Sequence, residues 1–261
     1  MARQGDMHPA AVIHIPHAAR LIPHDVRRDL LLNDTSLEVE LGRLTDHDTD
    51  VLFSVPSSEA APVIYPVSRL VVDPERFVDD AAEVMTSRGM GVVYTRTSDQ
   101  APLRGGVTPG QRNALLERFY YPHHQRLTAT VAAAVDTYGR CLIVDAHSFP
   151  SAPLPYELDK ESKRQDICIG TDGFHTPRWL CQLAVKIFKD LGLTVAIDRP
   201  FSGTIVPAAF FGCDLRVLSI MVEVNRGVYM DEVSGCRSPA FGSVAAEIRT
   251  AIVELIQRSV E

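Results

Sequence analysis

Seven short apolar runs rich in β-branched residues constrain the fold of this 261-residue chain more than any other feature. They are AVIHI (11–15), APVIYPV (61–67), GVVYT (91–95), CLIVDAH (141–147), DICIGT (166–171), LTVAID (193–198) and LSIMVEV (218–224). Several of them place apolar residues at consecutive positions, which is typical of strands that are covered on both faces. We therefore predict that each run forms a strand of a buried sheet.

Helical patterns lie between these runs. The longest covers residues 108–138, where Pro122 either divides the helix or opens its second half, and two others cover residues 178–191 and 243–258. The alternation of strands and helices predicts a three-layer α/β/α sandwich with a mainly parallel, mixed sheet. Because the chain contains no internal repeat and no linker-like change of composition, we expect a single domain over residues 1–261.

Composition and charge limit the class of partner. With 46% hydrophobic and 23% charged residues, the chain has the composition of a globular protein, and its net charge of −7 leaves no basic surface for a nucleic acid. The N-terminal segment lacks the pattern of a secretion signal, and no apolar stretch is long enough to span a membrane. The five cysteines are widely spaced and form no CxxC pair, which indicates buried thiols in a reducing cytosol. We expect a cytoplasmic protein.

Two histidines follow predicted strands at the point where each strand ends. His17 comes two residues after AVIHI, and His147 closes CLIVDAH. Because open α/β sheets collect ligands beyond the carboxyl ends of their strands, the two imidazoles are candidate metal ligands. A single histidine at a strand end is usually structural, and it is the pair that favours a metal.

A carboxylate is expected as the third ligand. Asp46, Asp48 and Asp50 lie together at the start of a predicted helix, and helix capping explains them as well as metal binding does. Asp145, two residues before His147, is either a group that orients the imidazole or a structural aspartate.

Glu223 lies inside the apolar strand at residues 218–224. A buried carboxylate is costly unless it is paired or functional, and loss of solvation raises its pKa toward the range of a general base. Glu223 is therefore a candidate catalytic residue, and pairing with Arg226 is the structural alternative.

Seven motifs occur in an order that resembles the N-formylglutamate amidohydrolase family. They are PHA (16–18), TD (45–46), SRLVVDPER (68–76), DAHS (145–148), IGTDG (169–173), FSG (201–203) and VEVNRGVYMDE (222–232). The pattern is also similar, at a greater distance, to those of zinc-dependent exopeptidases and peptidoglycan amidases, which implies their phosphorylase/hydrolase-like fold.

The resemblance implies a role for each matching residue. His17, Asp46 and His147 would hold a zinc ion, for which Fe²⁺ or Co²⁺ could substitute, and Glu223 would be the catalytic base. The motif at residues 68–76 implies substrate binding by Arg69, Asp73 and Arg76, since guanidinium groups bind carboxylates in a bidentate manner. Exposed arginines paired to Asp73 or Glu75 are the structural alternative. Gly203 and Thr204 would line the pocket.

The implied activity is the hydrolysis of an N-acyl amino acid, with N-formylglutamate, a compound of histidine degradation, as the named substrate. A peptidoglycan or peptide amidase with the same metal centre is one alternative, and a binding protein without turnover is another. Residues 204–211 are apolar where the resemblance implies a polar and basic run, which favours a larger acyl group or a peptide-like substrate. The sequence is compatible with either a monomer or a homo-oligomer.

Two further features have a structural and a functional interpretation. Residues 149–165 are either an active-site flap or a surface loop. Four other histidines are expected to serve packing or capping rather than metal binding, with a pocket wall as the alternative for the last of them: His14, His123, His124 and His175.

Overall fold

A six-stranded sheet forms the centre of the protein, whose computed structural model describes residues 10–259. Its strands are β1 (Ala11–Ile15), β2 (Ala61–Ile64), β3 (Cys141–Phe149), β4 (Ile167–Gly170), β5 (Val195–Ile197) and β6 (Val217–Asn225). They lie in the order β2-β1-β3-β6-β4-β5. The first four are parallel, whereas β4 is antiparallel to β6 and parallel to β5. The predicted mixed, mainly parallel sheet is confirmed.

Seven α-helices accompany the sheet within the described residues: α1 (His24–Arg27), α2 (Asp34–Leu44), α3 (Thr49–Leu52), α4 (Pro109–Leu115), α5 (Tyr121–Tyr138), α6 (Arg178–Asp190) and α7 (Phe241–Ser259). Thr108 caps α4 in a reciprocal arrangement with Gln111, and a π-helical turn at Leu116–Tyr120 joins α4 to α5. Pro122 lies in the first turn of α5, directly after the π-helical turn, and so opens the second half of the helical pattern. Two 3₁₀ turns, Val84–Arg88 and Arg226–Val228, and a hairpin of β7 (Met230–Asp231) with β8 (Cys236–Arg237) complete the elements.

The helices cover both faces of the sheet. Leu142, Val144 and Ala146 of β3 belong to an apolar cluster with residues of α3, α6 and α7. Cys141 and Ile143 point the other way and pack with residues of α5. Because side chains alternate along a strand, this division shows the three layers directly.

The face of the sheet that α5 covers becomes polar toward the carboxyl ends of the parallel strands. Asp145 and His147 follow Ile143 on this face of β3. The parallel register places His14 of β1 opposite Asp145, and Glu223 of β6 opposite His147. The sheet thus brings ionisable side chains from three strands to one edge.

One predicted strand is wrong. Residues 91–95 are buried but form an irregular segment, whose backbone groups bond locally: Asp73 N–H donates to Val92, and Thr95 N–H donates to Gly89. Gly89 has a φ of 69°, which turns the chain away from a strand path. The run is apolar because it packs beneath residues 68–76, and burial without strand pairing gives the same sequence pattern.

Four other expectations concern the ends of the chain, membrane-spanning helices, the cysteines and the number of domains. The absence of a secretion signal was read largely from residues 1–9, which lie outside the described part of the chain. Between residues 10 and 259, no helix combines the length and apolarity that crossing a bilayer requires. The five cysteines are free thiols, as expected, but only Cys141 and Cys168 are buried, and the expectation of burial is wrong for Cys213 and Cys236, which are exposed. The single domain over residues 1–261 stays a prediction.

Gly170, at the end of β4, provides a test of this packing. A methyl group added there would lie 2.3 Å from the carbonyl oxygen of Gly203 and 2.4 Å from Met221, whereas one added at Gly42 in α2 would meet nothing within 4 Å. We expect Gly170→Ala to lower the free energy of unfolding by about 1–3 kcal/mol through overpacking. Gly42→Ala, the matched control, should raise it by up to about 1 kcal/mol. Urea denaturation of both variants checks this, and equal effects would contradict the close approach of Gly170 to Gly203.

Candidate metal centre

Three side chains from distant parts of the sequence converge at the carboxyl edge of the sheet. His17 follows β1, His147 lies near the end of β3, and Asp46 lies between α2 and α3, where its backbone N–H donates to the carbonyl of His17. Asp46 Oδ2 is 3.0 Å from His147 Nδ1 and 3.5 Å from His17 Nδ1. One donor atom from each of the three buried residues lies within 4.8 Å of the other two. Two imidazoles and one carboxylate can therefore face a common cation.

The far nitrogen of each imidazole is held by a carboxylate. His17 Nε2 lies 2.8 Å from Asp73 Oδ1, and His147 Nε2 lies 3.1 Å from Asp145 Oδ1. A carboxylate on one ring nitrogen fixes the tautomer and leaves the other nitrogen free to bind a metal. Both rings therefore present Nδ1 to the centre of the cluster.

His17 Nδ1 is buried and has no hydrogen-bond partner among residues 10–259. A buried nitrogen without a partner is costly, and a metal ion removes the cost by accepting its lone pair. Two imidazoles with one carboxylate are also the donor set of catalytic zinc sites that keep one position open. The donors therefore fit a divalent metal.

The electrostatics of the cluster favour a positive charge between the rings. Burial opposes ionisation of Asp46, yet His147 and His17 hold the pKa of Asp46 well below its usual range. Against the same opposition from burial, the Asp145 carboxylate raises the pKa of His147 well above its usual value. A proton on His147 or a metal cation between the rings supplies the positive charge that the two carboxylates favour.

Of the three candidate aspartates, the structure brings only Asp46 to the imidazoles. Asp48 has a left-handed conformation, with a φ of 58°, and its carboxylate accepts from Arg237 at 2.6 Å. Asp50 is exposed in the first turn of α3. The helix predicted to start at these aspartates is the one-turn helix α3. The longer helix α2 ends at Leu44, just before the three aspartates.

Glu223 stands beside His147 on the neighbouring strand, and both side chains line one cavity. Burial raises the pKa of Glu223 to about 8. Arg226, the alternative partner, instead donates to the carbonyl of Arg43 at 2.8 Å and lies 3.6 Å from Asp46. Glu223 is therefore free of the ion pair that would have made it structural.

The cavity has a volume of about 520 Å³ and opens over the cluster. Arg69, Arg76, Gly203 and Thr204 lie on its wall. Gly203 has a φ of 90°, a conformation that favours glycine, where the chain turns toward the sheet.

Asp73 is fully buried beneath the arginines. It accepts from Arg69 Nη2 at 2.7 Å and from the Tyr94 hydroxyl, and Arg76 Nε is 3.6 Å away. The structural pairing that the sequence allowed is thus present, yet both guanidinium groups remain on the cavity wall. Asp73, predicted to bind substrate, does not itself line the cavity but contacts His17, a partner 56 residues away for which no local sequence pattern gives a signal.

His14 is the other unforeseen neighbour of the centre. Its Nδ1 lies 2.9 Å from Asp145 Oδ1, and its Nε2 lies 2.8 Å from His123 Nε2. The alternation of side chains along β1 could have indicated this position, because His14 shares a face with Val12. His124 bonds the carbonyl of Pro74, and His175 bonds the carbonyl of Val217, so both have backbone partners.

The fold and the cluster together define an α/β protein with a candidate metal centre at the carboxyl edge of its sheet. A model of the N-formylglutamate amidohydrolase family matches residues 10–230. The chain therefore belongs to the N-formylglutamate amidohydrolase family, which makes it a hydrolase of the amidohydrolase type.

Individual relatives and structures agree with this assignment. The N-formylglutamate deformylase of Pseudomonas aeruginosa is 25% identical over 244 residues, which cover 90% of both chains. That of Pseudomonas putida is 24% identical over 229 residues, covering 85% of this chain and 82% of the relative. The crystal structure of N-formylglutamate amidohydrolase from Ralstonia eutropha JMP134 has the same fold, with a TM-score of 0.82 and 23% identity over 98% of this chain and 96% of that one. A gene product from Agrobacterium tumefaciens gives a TM-score of 0.65 at 18% identity, covering 94% of this chain and 91% of that one.

The geometry predicts which aspartate holds a metal. We expect Asp46→Ala to abolish stoichiometric binding of Zn²⁺, because it removes the only carboxylate of the three that reaches both imidazoles. Asp48→Ala, the matched control, should leave one equivalent bound. Metal content after reconstitution and gel filtration, measured by mass spectrometry, distinguishes the two, and zinc loss confined to Asp48→Ala would reverse the assignment.

Asp73 should tune the affinity for metal without binding it. We expect Asp73→Asn to weaken Zn²⁺ binding by about 10- to 100-fold, because the amide holds His17 Nε2 less firmly than the carboxylate. Asp25→Asn, which alters an exposed carboxylate paired to Arg118, is the control. Competition with a chromophoric chelator gives both dissociation constants, with folding checked by circular dichroism. An unchanged dissociation constant for Zn²⁺ in Asp73→Asn would show that Asp73 does not support metal binding.

Proposed function

We propose that this protein is a metal-dependent amidohydrolase that cleaves the amide bond of an N-acyl amino acid. Water adds to the acyl carbon and the C–N bond breaks, so that RCO–NHR′ and H₂O give a carboxylate and an amine. N-formylglutamate, yielding formate and glutamate, is the reference substrate. The observation that carries the proposal is the convergence of His17, Asp46 and His147 beside Glu223 in a chain of this family.

His17 Nδ1, His147 Nδ1 and an oxygen of Asp46 would hold the metal. A divalent ion bound there supplies a Lewis acid at the cavity floor that polarises an amide carbonyl and acidifies water. Zinc suits the donor set, and iron or cobalt accept the same ligands. Asp73 and Asp145 keep both rings in the tautomer that this role requires.

Glu223 is the proton carrier in this proposal. Its carboxylate takes a proton from the attacking water and returns it to the nitrogen of the leaving amine. Burial raises the pKa of Glu223 to about 8 in the absence of a metal, which brings its affinity for a proton toward that of a base working near neutral pH. No covalent bond between the protein and the acyl group is needed.

The substrate carboxylate is assigned to the arginines of the cavity wall. Arg69 uses Nε and Nη2 to hold Asp73, and Arg76 Nε has no hydrogen-bond partner within the described part of the chain. Within the described residues Arg76 makes fewer hydrogen bonds than Arg69, so more of its N–H groups are available to a carboxylate. Gly203 and Thr204 line the same cavity and add little side-chain bulk to it.

Glu223→Gln tests the proposal directly. With N-formyl-L-glutamate as substrate and formate release as the readout, we expect kcat to fall by about 10³-fold, because the amide cannot accept the proton. The metal content should stay at the wild-type level, since Glu223 is outside the donor set. Glu247→Gln, an exposed change on α7, controls for the substitution itself.

The outcomes separate the competing functions. A wild-type protein that binds zinc but hydrolyses no N-acyl amino acid would be a binding protein on this fold. Release of amines from muropeptides without activity on N-acyl amino acids would identify the peptidoglycan amidase. An unchanged kcat in Glu223→Gln would show that Glu223 does not carry the proton, and the proposed mechanism would then have no base.

A further inference from the structure

The cavity is larger than the reference substrate requires. N-formylglutamate has roughly a dozen non-hydrogen atoms, whereas pockets of about 300–1,000 Å³ commonly enclose ligands of drug size. At about 520 Å³, the cavity over the metal centre has space that such a small substrate leaves empty.

Much of this additional space has apolar walls. Phe77 and Val84 come from the segment after Asp73, and Phe211 comes from the segment before β6. These side chains line the cavity and yet are 59%, 70% and 55% exposed, so they form its rim. Apolar side chains gathered around the opening of a cavity indicate an apolar ligand.

Residues 201–211, which we name the wall segment, continue this apolar surface inward. Five of its residues line the cavity with apolar side chains: Phe201, Ile205, Val206, Ala208 and Phe211. Arginine and lysine are absent from the whole segment. A ligand group lying along it meets hydrocarbon rather than a cation.

The wall segment is fixed directly to the metal centre. The N–H of Ile205 donates to Asp145 Oδ2 at 3.0 Å, while the other oxygen of Asp145 holds His147. The hydroxyl of Ser219 on β6 donates to the carbonyl of Ile205 and lies 2.7 Å from the hydroxyl of Thr204. The apolar wall therefore begins beside the reacting atoms and runs outward to Phe211 at the rim.

Charged groups occupy a different part of the wall. Arg69 and Arg76 are anchored on Asp73, which contacts the opposite imidazole, that of His17. The arginines are thus anchored through the carboxylate that holds His17, and the apolar wall segment through the carboxylate that holds His147, while Phe77 adds an apolar side chain next to Arg76. An N-acyl amino acid has the same division, with the acyl group on one side of the amide and the carboxylate on the other.

We propose that the wall segment is an acyl-binding subsite and that the substrates are N-acyl amino acids whose acyl group is an apolar chain of several carbons. This inference rests on the amide hydrolysis proposed above. Hydrolysis of such a substrate releases a free aliphatic carboxylic acid and the amino acid.

The test is a series of N-acyl-L-glutamates with formyl, acetyl, butanoyl, hexanoyl and octanoyl groups, assayed for glutamate release with the zinc-loaded protein. Burial of each methylene in the subsite should raise kcat/KM by roughly three- to fourfold until the subsite is filled. A series that is flat, or in which the formyl compound is the best substrate, would overturn the acyl subsite and leave the hydrolase proposal standing. Absence of turnover with all five would overturn the hydrolase proposal and the subsite together.

Phe211→Ala locates the subsite. We expect the ratio of kcat/KM for octanoyl- to formylglutamate to fall by at least fivefold, because the end of a long chain loses its contact at the rim. This ratio is measured within one protein sample, so loss of folded or zinc-loaded protein cancels. The control is Leu215→Ala, an apolar side chain that is 72% exposed and is not among the described residues lining the cavity. An unchanged ratio in Phe211→Ala, or an equal fall in both variants, would place the acyl chain elsewhere.

Discussion

Three buried aspartates around two imidazoles govern the structure of the site. Asp46 faces both rings, and Asp73 and Asp145 hold their far nitrogens. Burying carboxylates is expensive unless positive charge lies close by, and here the cations are Arg69, the imidazoles and whatever the rings bind between them. Positive charge at the centre of the arrangement stabilises these carboxylates, which is why the two imidazoles and Asp46 are a candidate site for a divalent cation.

The sheet supplies the rigidity that such a centre needs. His147 and Glu223 occupy paired positions on adjacent parallel strands, so their separation is set by strand spacing rather than by a flexible loop. His17 and Asp46 lie just outside regular elements, yet the backbone bond from Asp46 to the carbonyl of His17 joins their two segments. Two ligand segments are thereby fixed to each other before any ion binds.

The strands that carry apolar residues at consecutive positions could be predicted from the sequence. Strands such as β3 and β6 are apolar on consecutive positions, and His147 and Glu223 are conspicuous because they interrupt that pattern. The choice among Asp46, Asp48 and Asp50 could not be made from spacing, since it depends on a left-handed residue at Asp48 and on the side chain of Arg237. The run at residues 91–95 was misleading because its burial comes from packing under another segment. Long-range pairs such as His17 with Asp73 leave no local signal at all.

Asp145 connects two parts of the site, the imidazole of His147 and the backbone of the wall segment. One oxygen orients His147 and the other accepts the backbone N–H of Ile205, so the shape of the wall segment and the strength of a ligand depend on the same carboxylate. A shift of the backbone at Ile205 therefore acts on the carboxylate that holds His147, whereas the side chains of Ala208 and Phe211, farther along the segment, make no hydrogen bond to that carboxylate. Substitution of these two side chains thus changes the lining of the cavity without altering the hydrogen bonds of Asp145.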